Sequence, residues 1–172
     1  SQFYPSDADH SNPIAYLWAR TIRCEGPACS ATVPLLRSLV LAKRRREYIL
    51  LSLRPTGHDV NFEIVATRAR PNAEGTVKKG SVTCPCCGYT TPVASVRAQF
   101  VKRNGGTEDS RLIAVVTTRA GEQQRQYRLP TTADHRAVAL AGKALGALES
   151  ELPSELIPID EPRRINVHQY GI

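Results

Sequence analysis

Arg23-Cys24-Glu25-Gly26-Pro27-Ala28-Cys29-Ser30 and Thr83-Cys84-Pro85-Cys86-Cys87-Gly88-Tyr89 are the two stretches on which the reading of this chain turns. Each holds two cysteines at the ends of a short loop, so that both sulfurs can reach one ion while backbone amides point at the thiolates. In the second stretch Pro85 follows the first cysteine and Gly88 follows the last, where a tight metal-binding turn demands a positive φ. In the first, four residues separate the sulfurs, and Gly26 and Pro27 supply the turn. Together Cys24, Cys29, Cys84 and Cys87 form a tetrahedral set for one structural Zn2+.

Other uses of the cysteines fit less well. A disulfide framework belongs to an oxidising compartment and an even cysteine count, whereas this chain has five cysteines in 172 residues and no signal-like apolar segment. The expectation is a cytoplasmic location. A redox pair at Cys84 and Cys87 would need a helix directly after it, and Tyr89-Thr90-Thr91-Pro92 is a poor start for one. Cys86 is the spare cysteine and an alternative ligand to Cys87. His10, His58, His135 and His168 read as surface or loop histidines.

The charge balance is 23 basic against 16 acidic residues, a formal +7, and four thiolates with one dication would lower this by two, to +5. Such a balance favours polyanions, of which DNA or RNA is the commonest that a basic zinc ribbon meets. No stretch of about 18 apolar residues is present, which excludes a membrane-spanning helix, and no basic amphipathic helix supports membrane-surface binding. The absence of methionine and the start at Ser-Gln-Phe suggest a piece of a longer polypeptide.

Working outward from the cysteines, the fold expectation is mainly β with α+β character: an antiparallel zinc ribbon with inserted hairpins and one helix in the C-terminal half. Residues 1–13 read as an incoming linker and 14–152 as the zinc-ribbon domain. Ile14 to Arg23 is a strand delivering the chain to Cys24. Ala31 to Ala42, Tyr48 to Leu53 and Val60 to Thr67 are extended, and Val60, Phe62, Ile64 and Ala66 alternate with Asn61, Glu63 and Val65. Arg54 to Asp59 is a turn, which makes residues of about 31–75 an inserted hairpin region between cysteine pairs roughly 55 residues apart. Arg111 to Thr118 and Gln124 to Leu129 form a further hairpin around Ala120-Gly121-Glu122. The helix spans Thr132 to Leu152, with an apolar stripe of Val138, Ala141, Leu145, Leu148 and Leu152, a cap at Thr131 or Thr132, and Asp134 in its first turn. Residues 153–172 read as an outgoing linker or edge segment.

The run Tyr16-Leu17-Trp18-Ala19-Arg20-Thr21 before Cys24, then Val33-Pro34-Leu35-Leu36-Arg37-Ser38, resembles a family of adenine-specific DNA methyltransferases that carry a zinc ribbon in mid-chain. The resemblance continues through Gly75-Thr76-Val77, the Cys84 stretch, Leu112 to Val116, Tyr127 to Asp134 and Tyr170-Gly171-Ile172. It implies an insert between the cofactor-binding motif and the catalytic Pro-Pro motif, with Cys24, Cys29, Cys84 and Cys87 as the matching ligands. It also implies a methyltransferase core as partner, S-adenosylmethionine as the parent enzyme's cofactor, and a restriction, modification or phage-defence setting. The wider spacing of the first pair departs from the family's tighter knuckle.

Adenine methylation needs a Gly-rich turn for the cofactor and an Asn or Asp followed by two prolines; no consecutive prolines occur here. The segment alone is expected to be catalytically silent. Its candidate DNA contacts are Lys43-Arg44-Arg45-Arg46 in a hairpin connection, with Lys78, Lys79, Lys102 and Arg103 as further loop cations. The competing expectation is a structural or protein-docking insert that never touches DNA.

Overall fold

In the computed structural model the described residues are Tyr4, 6–103, 109–122 and 124–146. They form ten strands and two helices: β1 (Asn12–Arg23), β2 (Thr32–Pro34), β3 (Val40–Lys43), β4 (Tyr48–Thr56), β5 (Asp59–Thr67), β6 (Val77–Lys78), β7 (Ser81–Thr83), β8 (Thr90–Thr91), α1 (Val93–Arg103), β9 (Ser110–Thr118), β10 (Gln126–Arg128) and α2 (Thr132–Gly146). Every strand pairing described within the sheets is antiparallel. The fold is mainly β of the α+β kind, with two helices where the sequence pointed to one. The chain divides into two compact units: Trp18–Ile113 forms one, and the described residues up to Leu17 with those from Ala114 onward form the other. β1 and β9 run through both.

The Trp18–Ile113 unit is built around the two cysteine stretches. The end of β1 pairs with β2 through Thr21↔Pro34, Ile22↔Val33 and Arg23↔Thr32. β6, β7 and β8 make a small sheet around the second stretch, with Val82 opposite both Val77 and Thr91. Ile22, Ala31, Val33, Val82, Val96 and Phe100 bury together with Cys24, Cys29 and Cys84. Each large apolar side chain taken out of water there contributes about 1.5–3 kcal/mol.

Helix α1 supplies Val96 and Phe100 to that core. Pro92 is no obstacle to it: it stands just before the first helical residue, where its missing N–H costs nothing, and its carbonyl accepts the Val96 amide at 3.0 Å. Lys102 and Arg103, expected in a loop, occupy the last turn of this helix, where cations complement the helix dipole.

β3, β4 and β5 form a separate three-stranded meander. Its long hairpin runs from Tyr48↔Thr67 to Thr56↔Asp59, so the turn is only Gly57-His58 and Arg54, Pro55 and Asp59 belong to strands. Pro55 fits because β3 pairs no further along β4 than Leu50, leaving β4 with a neighbour on one side at that point. The alternation expected in β5 holds from Val60 to Ile64; Ala66 is exposed. The chain leaves for this meander and returns from it at one place, marked by a bridge between Ser38 and Glu74 and by the Leu39 amide on the Ala73 carbonyl at 3.0 Å.

In the other unit β10 pairs with β9 through Gln126↔Thr117, Tyr127↔Val116 and Arg128↔Val115. α2 begins with a reciprocal cap: the Thr131 amide and hydroxyl both donate to Asp134 Oδ2 at 2.7 Å, and the Asp134 amide donates to the Thr131 hydroxyl. Asp134 is buried and receives Arg128 in bidentate fashion at 2.6 and 2.9 Å, while the opposite side of Arg128 grips Asp7 at 2.6 and 2.8 Å. Burial next to Asp134 raises the Tyr16 phenol to about 12, so its OH stays protonated and donates to that carboxylate at 3.1 Å. Asp9 meets Arg119, and Ser11 is buried. The N-terminal stretch expected as a linker is thus held by ion pairs over its described part, and β1 starts at Asn12, two residues ahead of Ile14.

The expected stripe on α2 needs correction. Its buried face is Asp134 and Ala137, flanked by half-buried Val138, Ala141 and Ala144, whereas Leu140 and Leu145 are 51% and 54% exposed. Small side chains let the helix sit close, and burial ends before Leu145. Residues 147–152 of the expected helix and the segment 153–172 lie outside the described residues.

Candidate metal centre

The sulfurs of Cys24, Cys29, Cys84 and Cys87 all lie within 4.8 Å of one another. Cys24 and Cys87 face each other at 3.5 Å and Cys29 and Cys84 at 3.8 Å, so each contact joins one stretch to the other. All five cysteines are free thiols. A tetrahedron with metal–sulfur bonds of about 2.3 Å sets its sulfurs about 3.8 Å apart, so a zinc-sized ion fits among these four with little movement.

The backbone prepares the sulfurs for charge. The Gly26 amide donates to Cys24 Sγ at 3.3 Å, the Ala31 amide to Cys29 and the Tyr89 amide to Cys87. In each case the donor is two residues beyond the cysteine, the repeat that a metal knuckle requires. Gly88 adopts φ 76° in the second turn, as its position required, and its amide bonds the Cys84 carbonyl at 2.9 Å.

Burial and amide donation compete at these thiols. Burial drives Cys24 far above the usual thiol range against the pull of the Gly26 amide. At Cys29 the Ala31 amide pulls downward, but burial and nearby sulfurs leave the thiol raised. At the exposed Cys87 the Tyr89 amide prevails and the thiol is lowered. Four thiolates cannot share so small a volume without a cation, so metal binding and proton release are one event.

Cys86 does not join the four. Its sulfur turns to the Asp59 carbonyl at 3.6 Å, and burial pushes its thiol up to about 11. The same hairpin tip reaches the first stretch, where His58 donates through Nδ1 to the Cys29 carbonyl. Asp59 is fixed in turn by Arg111, which bonds its carboxylate at 3.1 Å and the Val60 carbonyl at 2.7 Å. The tip of the β4–β5 hairpin therefore touches both cysteine stretches. No local pattern signals this role of His58, because it depends on where the far end of a long hairpin lands. His10 and His135 are exposed, and His168 lies outside the described residues.

The candidate DNA contacts fall on three elements. Lys43 ends β3 and Arg44 to Arg46 follow in the β3–β4 turn, with Lys43, Arg45 and Arg46 exposed and Arg44 tied to Glu47 at 3.1 Å. Lys78 and Lys79 lie at the β6–β7 turn, where Lys78 stands 3.8 Å from Glu74. Lys102 is exposed at the end of α1, but the guanidinium of Arg103 folds back to the Thr21 carbonyl and lies 5.7 Å from the Phe100 ring centre, where burial lowers its pKa. Eight residue steps of β4 separate its β3–β4 end from the tip on the cysteines, about 26 Å at strand rise.

Among the described residues no helix is long and apolar enough to cross a membrane. No family model, curated protein or solved structure matches the chain.

Proposed function

We propose that this chain is a zinc-stabilised accessory module that engages DNA on behalf of an adenine-specific DNA methyltransferase. The observation that carries the zinc part is the convergence of four sulfurs at tetrahedral spacing, three of them bonded by the amide two residues on. Cys24, Cys29, Cys84 and Cys87 would hold the ion, which supplies a cross-link rather than a reactive centre: three of the four sulfurs are buried among Ile22, Val33, Val82, Val96 and Phe100.

The DNA part is supported by the exposed cations of the β3–β4 turn and the formal charge of +7. The methyltransferase setting rests on the sequence resemblance; the methyl donor would be bound elsewhere in the parent enzyme. Purified protein is expected to carry one zinc per chain by elemental analysis. Binding of a labelled mixed-sequence duplex should weaken with salt and be lost in a Lys43/Arg44/Arg45/Arg46 alanine variant that still holds zinc. No duplex binding by wild type at low salt would instead favour a structural or protein-docking insert.

A further inference from the structure

The register of the β3–β5 meander places two more arginines beside the basic turn. Lys43 pairs with Tyr48, and Tyr48 pairs with Thr67, so these three residues form one row across the three strands. Arg45 and Arg46 follow Lys43 beyond that row, and Arg68 and Arg70 follow Thr67 beyond it. Strands spaced about 4.8 Å apart make this end of the sheet about 10 Å wide. Lys43, Arg45, Arg46, Arg68 and Arg70 are all exposed, and none has a carboxylate partner among the described residues.

Charge is sorted along the meander. Asp59 lies at the other end and Glu63 midway along, engaged by Arg111 and Arg54, and Glu47 at the basic end is taken up by Arg44. Five cations therefore stand together without acids to neutralise them, a separation that costs self-repulsion unless a polyanion meets it.

We infer that this end of the sheet is a phosphate-binding surface for duplex DNA, completed by Arg68 and Arg70. The inference rests on the DNA-engaging reading above and extends it to these residues. A duplex about 10 Å long presents about six phosphates, at one per 1.7 Å, which suits five cations across the sheet end. A membrane surface is the poorer partner, since the exposed large apolar residues (Ile14, Trp18, Tyr89, Val101, Leu129, Leu140 and Leu145) all lie outside this meander, leaving nothing to insert between lipids.

The test is fluorescence anisotropy of the zinc-loaded chain with a short mixed-sequence duplex between about 50 and about 200 mM salt. Wild type, Arg68→Ala/Arg70→Ala, Lys43→Ala/Arg45→Ala/Arg46→Ala and, as a control on α2, Arg136→Ala/Lys143→Ala are compared at equal zinc content and circular dichroism. Loss of two phosphate contacts should flatten the log–log salt slope by about 1.8 and weaken binding at least about tenfold at the lower salt, with the α2 control unchanged. If Arg68→Ala/Arg70→Ala matches wild type while the turn variant loses affinity, the inference fails and the broader reading stands. If both variants bind like wild type, the inference fails and the duplex is held elsewhere on the chain; if wild type ignores the duplex at the lower salt, the inference and the DNA-engaging reading both fall.

Discussion

A methyl group at Gly26 would stand 2.8 Å from Cβ of Tyr89 and 3.0 Å from the sulfur of Cys87. The first stretch therefore leans on the second where it carries no side chain, and Gly26→Ala should push the two apart. Zinc loss to a chromogenic chelator is expected to speed up by about tenfold or more. Gly88 makes a contrast at the same centre: its φ is positive but nothing lies within 4 Å of an added Cβ. Gly88→Ala should cost about 1 kcal/mol in urea unfolding and leave zinc release nearly unchanged. In the other unit, burial pushes the Asp134 carboxyl up, and Arg128 with the Thr131 amide and hydroxyl overcomes it, holding the pKa below the usual carboxylate range. A depressed folded pKa contributes stability that is full above the unfolded value near about 3.9 and is lost as pH falls further. Asp134→Asn should cost about 3 kcal/mol at neutral pH by leaving Arg128 partly uncompensated. Thermal melts between pH 5 and pH 3 should show wild type losing more of its melting temperature than the variant.

At the scale of the element, the two helices respond differently to substitution. Phe100 of α1 is fully buried against the cysteine-bearing core, with the Arg20 guanidinium 3.7 Å from its ring centre. Phe100→Ala is expected to cost about 3–5 kcal/mol in denaturant unfolding, whereas Leu140→Glu and Leu145→Glu on α2 should each stay within about 0.5 kcal/mol. The sequence would have ranked these differently, and the reasons are physical. β1, β4, β5 and β9 were legible because runs of β-branched, aromatic and other apolar residues, with alternation added in β5, mark a strand wherever it packs. The clustering of the four cysteines was legible because coordination fixes such spacing locally. Helix α1 was hidden by its brevity and by Pro92, a residue that stops a helix from within but suits its first turn. The burial of α2 turned on alanines, which carry little pattern, so the leucines drew the stripe to the wrong place. Strand register, and with it the company of Arg68 and the reach of His58, has no local signature at all.

For the whole molecule, the decisive link is between residues far apart in the chain. Cys29 and Cys84 are 55 positions apart, and the core of the Trp18–Ile113 unit includes three of the four clustered cysteines. Chelation should therefore remove more than an ion: hydrogen exchange at β6–β8 and α1 is expected to rise together, and restoring zinc should reverse it. His58→Ala should produce a narrower effect, faster exchange over β4 and β5 at unchanged zinc stoichiometry, because it releases the hairpin tip and not the ligands. The neck formed by Ser38 and Glu74, with chain departing and returning side by side, gives this design an evolutionary latitude. Insertions or deletions beyond the neck can lengthen, shorten or replace the meander while every clustered cysteine keeps its place, so the surface that the meander carries can drift between lineages as the cysteine-bearing body stays fixed.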